Sequence, residues 1–369
     1  MKKQYFMMAI AATMFAACSQ TEVIDEVVDN STPKAIGFTT YAEGQTRAEN
    51  SQGNYTWALE NHHKTFNVWA YKNVSDTKVF NGDVVTHNGT DWGYDNTRYW
   101  DKAATNYEFY AAAPNGFNWV LNTKSNNVQN DDYFTLEDYE LVGDNFNTTK
   151  FTDTPTESFI TLTTDKDLMI ADKKNVANAN FYKDVQLQFI HILSRLNVTI
   201  KKEGLEDDDK VHLVSLEVYN LNNKGNFEET EIANNTQGHI RWSTNRTTSI
   251  NYRYVGNEEV ETTSKYAIQA LVLPQEVAFE SVRLDGDGIT LKNSKPFIKI
   301  VYTITSGTNV ETFAAYYNLA NAFGVTAGNI SFCEGWQNIL NITIKPTAIT
   351  FVAEVAEWDE NLNKNLTIQ

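Results

Sequence analysis

Cysteine is almost absent from this chain, which carries only Cys18 and Cys333. A fold stapled by disulfides is therefore excluded. Also missing are HExxH, CxxC, a G-x-S-x-G elbow and a phosphate loop, so zinc, hydrolase and nucleotide-loop chemistry have no support in the sequence. The histidines are scattered. His62 and His63 are adjacent, and on a strand they would point to opposite faces; His87, His191, His212 and His239 are isolated. No metal, no cofactor and no catalytic residue is expected. Positive charge is short as well: 30 Lys and Arg stand against 47 Asp and Glu, a net charge of −17. Such a surface repels phosphate backbones and anionic lipid, which disfavours nucleic acid as a partner and a polybasic membrane patch.

Weaker candidates for chemistry each have a plainer reading. Cys333 sits in a strand-like context between Phe332 and Glu334 with no histidine near it in sequence, and reads as a packed thiol. Asp285-Gly286-Asp287-Gly288 has Ile289 where a calcium loop needs its third oxygen ligand and Pro296 where it needs its bidentate Glu. It reads as a hairpin turn. The run Glu206-Asp207-Asp208-Asp209 reads as a solvated loop tip. His191 continues the alternation of Leu187 and Phe189 and reads as a hydrogen-bonded, half-buried sheet residue. Trp92, Trp100, Trp119 and Trp242 lie near turns or strand ends, where a sugar-stacking surface is the alternative to ordinary core packing. Carboxylate pairs for glycoside hydrolysis come from distant strands and leave no spacing to read.

The N-terminus is informative. Lys2 and Lys3 precede an apolar run over residues 6–17 that is too short to span a bilayer. Phe15-Ala16-Ala17-Cys18 has the form of a lipobox with Phe15 in place of the usual Leu, so residues 1–17 are predicted to be a lipoprotein signal peptide and Cys18 the lipidated residue. A simple secretory signal is the alternative. Residues 19–33 carry Glu22, Asp25, Glu26 and Asp29 without a strand pattern, and read as an acidic tether.

Beyond the tether the dominant period is two. Residues 66–71, 107–111 and 185–189 alternate, as do Val214, Leu216 and Val218, then Ile298, Ile300, Tyr302 and Ile304, then Leu340, Ile342 and Ile344. Turn signals stand between them at Asn81-Gly82-Asp83, Asn115-Gly116, Asn223-Lys224-Gly225 and Ser306-Gly307. One short helix is expected over residues 318–323, stopped by Gly324. The fold class is all-β, of sandwich architecture. Length suggests two domains, and the polar, Ala/Asn-rich residues 175–180 suggest the split: residues 48–180 and 181–369, after a segment 18–47 holding the tether and a candidate first strand.

These features together resemble the fimbrillin-like proteins of Bacteroidales, the subunits and accessory proteins of type V pili. The carriers are the lipobox, Ile36-Gly37-Phe38 followed by Thr46-Arg47-Ala48, Tyr99-Trp100, and Phe109-Tyr110-Ala111-Ala112-Ala113-Pro114. Further along come Asp167-Leu168-Met169-Ile170-Ala171, residues 187–196, Val218-Tyr219-Asn220-Leu221, Leu273-Pro274-Gln275 and Trp358. The resemblance implies two tandem transthyretin-like β-sandwich domains and export as an outer-membrane lipoprotein. It also implies proteolytic processing after an arginine, which falls on Arg47, and assembly with other pilus subunits by strand insertion.

Ile36, Phe38 and Thr40 alternate with Gly37 and Thr39, so residues 35–41 suit a displaceable first strand. Cutting at Arg47 would leave an unpaired edge and an apolar groove for a strand from another chain. Residues 349–355, with Ile349, Phe351, Ala353 and Val355 on one face, are the candidate donor, or else an ordinary core strand. The expected role is a structural or adhesive component of the fimbrium, not an enzyme, with a host or bacterial surface ligand among its partners. The alternative is a cell-surface glycan-binding lipoprotein that never polymerises.

Overall fold

The computed structural model describes residues 33–42, 63–73, 77–122, 132–141, 146–148, 167–206, 208–229, 241–279, 295–346 and 348–357. They are almost entirely β. Strands β1 (Phe38–Ala42), β2 (Thr65–Lys72), β3 (Thr77–His87), β4 (Trp92–Tyr94), β5 (Asn106–Ala113), β6 (Val120–Asn122), β7 (Tyr133–Glu140), β8 (Phe146–Thr148), β9 (Met169–Ala177) and β10 (Val185–His191) precede a change of sheet. After it come β11 (Ser194–Lys202), β12 (Lys210–Glu228), β13 (Trp242–Glu259), β14 (Lys265–Val272), β15 (Gln275–Ala278), β16 (Phe297–Ser306) and β17 (Asn309–Asn318). A helical turn α1 (Leu319–Ala322) leads to β18 (Asn329–Phe332), β19 (Trp336–Ile344) and β20 (Ile349–Glu357). The turn starts where Asn318 caps the Asn321 amide and ends at Gly324, whose φ of +80° suits a residue without Cβ.

The first sheet has seven strands in the order β1-β10-β9-β5-β2-β3-β4. Its central strands are apolar on both faces, and both faces are buried. Phe66, Val68, Ala70, Phe109 and Ala111 enter one core with Val185, Leu187 and Phe189. The alternate residues Trp69, Tyr71, Tyr110 and Ala112 enter the other, against Trp119, Phe134 and Leu136. In the second half, β14-β11-β19-β20 form a four-stranded sheet opposite the order β17-β16-β12-β13-β8. Leu196, Val198, Ile268, Leu340 and Ile342 from one layer meet Leu213, Leu216, Tyr252, Ile298 and Ile300 from the other in a shared core.

The expected boundary at residues 175–180 is not where the sheets change. That segment is the end of β9 and a 3-10 turn at Asn178–Asn180, and the next strand, β10, returns to the same sheet beside β9. Its polar, Ala/Asn-rich composition belongs to a hairpin connection, which is exposed for the same reason a linker is. The chain leaves the first sheet at Ile192-Leu193, between β10 and β11. The two halves are also joined through β7, which pairs with the far end of β12 from Lys224↔Glu140 to Glu228↔Thr135. Strand β12 thus runs along one continuous core that takes in the second face of the first sheet and both layers of the second half.

Two expected turns lie inside strands. Asn81-Gly82-Asp83 is a bulge in β3, where the register against β2 shifts, Gly82 has φ of +79° and its Cα faces the Trp69 ring. Asn223-Lys224-Gly225 lies within β12 beside another register shift. An Asn/Gly signal marks positive φ or close backbone approach, which a bulge in a twisted strand needs as much as a hairpin does. Bulges also rephase β12: Val211 and Leu213 face the core, then Leu216 and Val218, while Val214 at the shift is only half-buried. By contrast, Ser306-Gly307 does turn the chain from β16 into β17.

Leu216 is fully buried in the shared core. Leu216→Ala is expected to cost about 2–5 kcal/mol, read as a lower urea midpoint with an unchanged slope.

Candidate functional site

The feature with the clearest functional consequence is the way residues 34–42 enter the first sheet. From Phe38 onward the segment pairs parallel to β10, Phe38 beside Val185 through Ala42 beside Phe189. The Val185 amide donates to the Gly37 carbonyl at 2.8 Å. Before Gly37 the same chain pairs on its other side. The Ile36 amide donates to Arg98 O at 2.9 Å, the Trp100 amide donates to Lys34 O at 3.1 Å, and Ala35 and Tyr99 form an antiparallel bridge. Residues 98–100 follow β4, the strand at the opposite end of the sheet from β10. The segment therefore joins the sheet's two ends, and a closed sheet has no free edge there.

A polar clasp supports that second pairing. The Tyr94 hydroxyl donates to the Ile36 carbonyl at 2.8 Å. Arg98 binds Asp83 at 2.5 Å, donates to Asp95 O at 2.8 Å, and lies 5.1 Å over the Phe80 ring. The guanidinium thus fixes the loop that presents the Arg98 carbonyl, and its charge is offset by Asp83.

Side chains of the segment plug the core. Ile36 is 1% exposed and Phe38 is 4% exposed. The Phe38 ring meets Phe66, Phe80, Tyr94 and Phe109 at centroid distances of 5.6–6.0 Å, all edge to face. Each such pair adds to the burial term. A Cβ at Gly37 would meet the Asp184 carboxylate as that exposed side chain is placed, so a larger residue there asks Asp184 to turn away.

The C-terminal candidate strand is an edge strand. Strand β20 pairs antiparallel with β19 alone, from Trp336↔Glu357 to Ile344↔Ile349. Ile349, Phe351 and Ala353 face the shared core but remain partly exposed, and Val352 on the other face is 53% exposed. Phe351 rests edge to face on Tyr317 of β17, the end strand of the facing sheet. The predicted donor segment is thus seated at the rim of the sandwich, held from one side.

The sheet change at Ile192-Leu193 is clamped by buried polar groups. His191 lies 2.7 Å from Asp167, with side chains 2% and 0% exposed, so His191 is more deeply buried than its pattern suggested. The Trp242 indole donates to Ile192 O at 2.7 Å, and the Gly335 amide donates to Leu193 O at 2.9 Å. Arg241 and Glu334 form a buried pair at 2.6 Å. These partners come from widely separated parts of the sequence, and nothing in local spacing marks them.

Other predicted residues fall as follows. Trp100, Trp119 and Trp242 are buried, and Trp92 packs at 4.9 Å on both Phe66 and His87, so the four tryptophans are spent on packing rather than on an open sugar-stacking face. Cys333 is half-buried, and burial, helped by Glu334 and Glu276, raises its thiol above the ordinary range. Among the described residues no three His, Cys, Asp or Glu side chains group to hold a metal, and no helix is long and apolar enough to cross a membrane. Cys18, Arg47, His62, His239, residues 285–288 and Trp358 lie outside the described residues.

The fimbrillin-like family profile matches residues 46–358. Among solved structures, a fimbrial protein from Bacteroides vulgatus is similar with a TM-score of 0.50 at 18% identity, over 88% of this chain and 99% of that one. A candidate cell-adhesion protein from Bacteroides uniformis gives a TM-score of 0.43 at 15% identity, over 88% and 99%. The tip fimbrial protein Mfa3 from Porphyromonas gingivalis, truncated at its C-terminus, gives 0.37 at 12% identity, over 81% and 96%. No curated protein matches.

Two outcomes are expected from this geometry. Phe38→Ala removes a ring from the aromatic cup and should cost about 3–5 kcal/mol in chemical denaturation. Alkylation of Cys333 near pH 8 should be markedly slower in the folded protein than in urea, because a raised pKa lowers the thiolate fraction and burial limits access.

Proposed function

Because the chain belongs to the fimbrillin-like family, we propose that it is a structural and adhesive component of type V fimbriae. It is exported to the outer membrane as a lipoprotein acylated on Cys18, and assembles with other subunits by strand exchange after cleavage near Arg47. The observation that carries this reading is the closing segment. Ile36 and Phe38 fill the first core, the backbone of residues 34–42 holds both ends of its sheet, and Arg47 lies between β1 and β2 in the sequence. A cut at Arg47 severs the covalent link between that segment and the rest of the sheet. Only the pairing with β10, the clasp at residues 98–100 and the side chains of Ile36 and Phe38 then retain it.

Loss of the segment would expose two sheet ends and an aromatic groove at once. That combination of unsatisfied backbone groups and apolar pockets is what an inserted strand from another chain satisfies. Lipid on Cys18 would leave with the released segment, which makes the anchor a feature of the precursor in a polymerising subunit. The role assigned is mechanical and adhesive, and no catalytic step is assigned to any residue.

Limited digestion of the purified precursor with a trypsin-like protease should yield a new N-terminus at Ala48 and a ladder of polymers in native gels. Deletion of residues 349–369 should leave cleavage intact and remove the ladder. A processed protein that stays monomeric at high concentration would count against strand exchange. The N-terminus of protein taken from cells separates the states: acylated Cys18 in the precursor, free Ala48 in the assembled form.

A further inference from the structure

The outer face of the sheet formed by β13, β12, β16 and β17 is built in cross-strand rows whose side chains belong to neither core. One row runs Arg253, Glu217, Lys299, Tyr316. The next, two residues along each strand, runs Val255, Ser215, Val301, Ala314. Beyond it stand His212, Thr303 and Thr312. Long side chains in the first row and small ones in the second make a shallow trough across the sheet, in which Ser215 is recessed to 7% exposure and Val255 is 41% exposed. We propose that this trough binds an anionic polysaccharide, one whose sugars carry carboxylate or sulfate groups.

The inference rests on the adhesive part of the proposed function, to which it gives a ligand class, and does not depend on how subunits assemble. Charge carries it. Glu217 is 3% exposed and lies 3.1 Å from Arg253 Nε and 3.5 Å from Lys299 Nζ, whereas the two cationic side chains are 38% and 28% exposed. One buried carboxylate does not balance two cations, so the row presents net positive charge to solvent. The carboxylate opposite His212, Glu259, is matched by Lys202 at 3.6 Å. On a chain of net charge −17 this row runs against the prevailing sign. At physiological ionic strength the Debye length is about 8 Å, so an acid group in the trough responds to this row rather than to acidic surface elsewhere.

Shape and surface chemistry favour a glycan over an acidic polypeptide. Arg253 and Lys299 stand on the strands either side of β12, so their backbones are about 10 Å apart, two inter-strand spacings. A chain laid along the trough meets both. Backbone groups inside a sheet are spent on neighbouring strands, so the face offers side chains alone, and a polypeptide there would find no ladder for its own amides and carbonyls. A sugar needs none. The small apolar floor of Val255, Val301 and Ala314 suits the C–H face of a sugar ring, and the Thr303 and Thr312 hydroxyls on one bank suit its hydroxyl groups. On the other bank the Arg253 guanidinium offers a planar fork to a carboxylate or sulfate, and Lys299 offers a point charge.

Affinity of the full-length protein for polygalacturonate and for heparin, with dextran as the neutral control, tests the proposal at physiological salt. Glu217→Gln frees both cations from their shared carboxylate and should bind several-fold more tightly. Arg253→Gln, Glu217→Gln and Lys299→Gln combined remove the net charge without leaving a buried carboxylate unmatched, and should bind at least about tenfold more weakly. Ala314→Trp, at an exposed position, fills the trough without changing charge and should weaken binding to a similar degree. Urea unfolding checks that each variant is folded. Equal affinity of the wild type and the triple variant, or equal affinity for dextran, overturns the proposal. So does failure of both the wild type and Glu217→Gln to bind either acidic polymer. Polyglutamate bound as tightly as polygalacturonate would assign the face to an acidic protein and overturn the glycan assignment. The polymer ladder formed after protease treatment is expected to be unchanged in the triple variant, so failure of glycan binding and failure of subunit assembly are read separately.

Discussion

Everything in the first half of the molecule depends on one segment being paired on both sides. Residues 34–42 hydrogen-bond to β10 beyond Gly37 and to residues 98–100 before it. Neither pairing is long. The segment is held because the two pairings close a sheet around an aromatic core, so that its backbone groups and the Ile36 and Phe38 side chains are satisfied together. A closing element of this kind behaves differently from an edge strand. Removing an edge strand leaves a neighbouring edge strand, whereas removing this one opens the core and uncovers two sheet ends. The same geometry that completes the first sheet would leave it incomplete without this segment.

The second constraint is the length of β12 and β13. These strands run from the two-layered core of the second half to the far face of the first sheet, where β7 joins β12 and Trp242 packs on Phe227 and Tyr139. The halves are thereby fused through continuous strands as well as through the chain connection at Ile192-Leu193. The buried His191–Asp167 contact and the buried Arg241–Glu334 ion pair add polar contacts at that joint. Such contacts contribute less to net stability than to fixing one arrangement, because breaking either leaves a buried polar group unmatched.

Much of the architecture was legible in local pattern. Period-two alternation at residues 66–71, 107–111, 298–304 and 340–344 marks strands that the structure contains, and the Asn318 cap with Gly324 marks its α-helical turn. The same signals misled where one local cause has two tertiary outcomes. Asn/Gly clusters in β3 and β12 mark bulges rather than turns, and the polar stretch near Asn178 marks a hairpin rather than a domain boundary. The tryptophans could not be sorted into core and surface from sequence, since their burial is decided by which strand of the other layer passes over them.

The sequence by itself determined that this is an all-β chain of the fimbrillin-like family, that no disulfide framework staples its fold, and that an apolar strand precedes Arg47 while another of like pattern lies near the C-terminus. These are local properties, written in alternation, composition and short motifs. Only the tertiary structure decided which pairings each strand makes. It put the first strand in a closed, two-sided seat and the C-terminal one at a one-sided rim. That difference is set by partners remote in the chain, β10 and residues 98–100 for one and β19 for the other, and no local pattern encodes a hydrogen bond to a residue so far away.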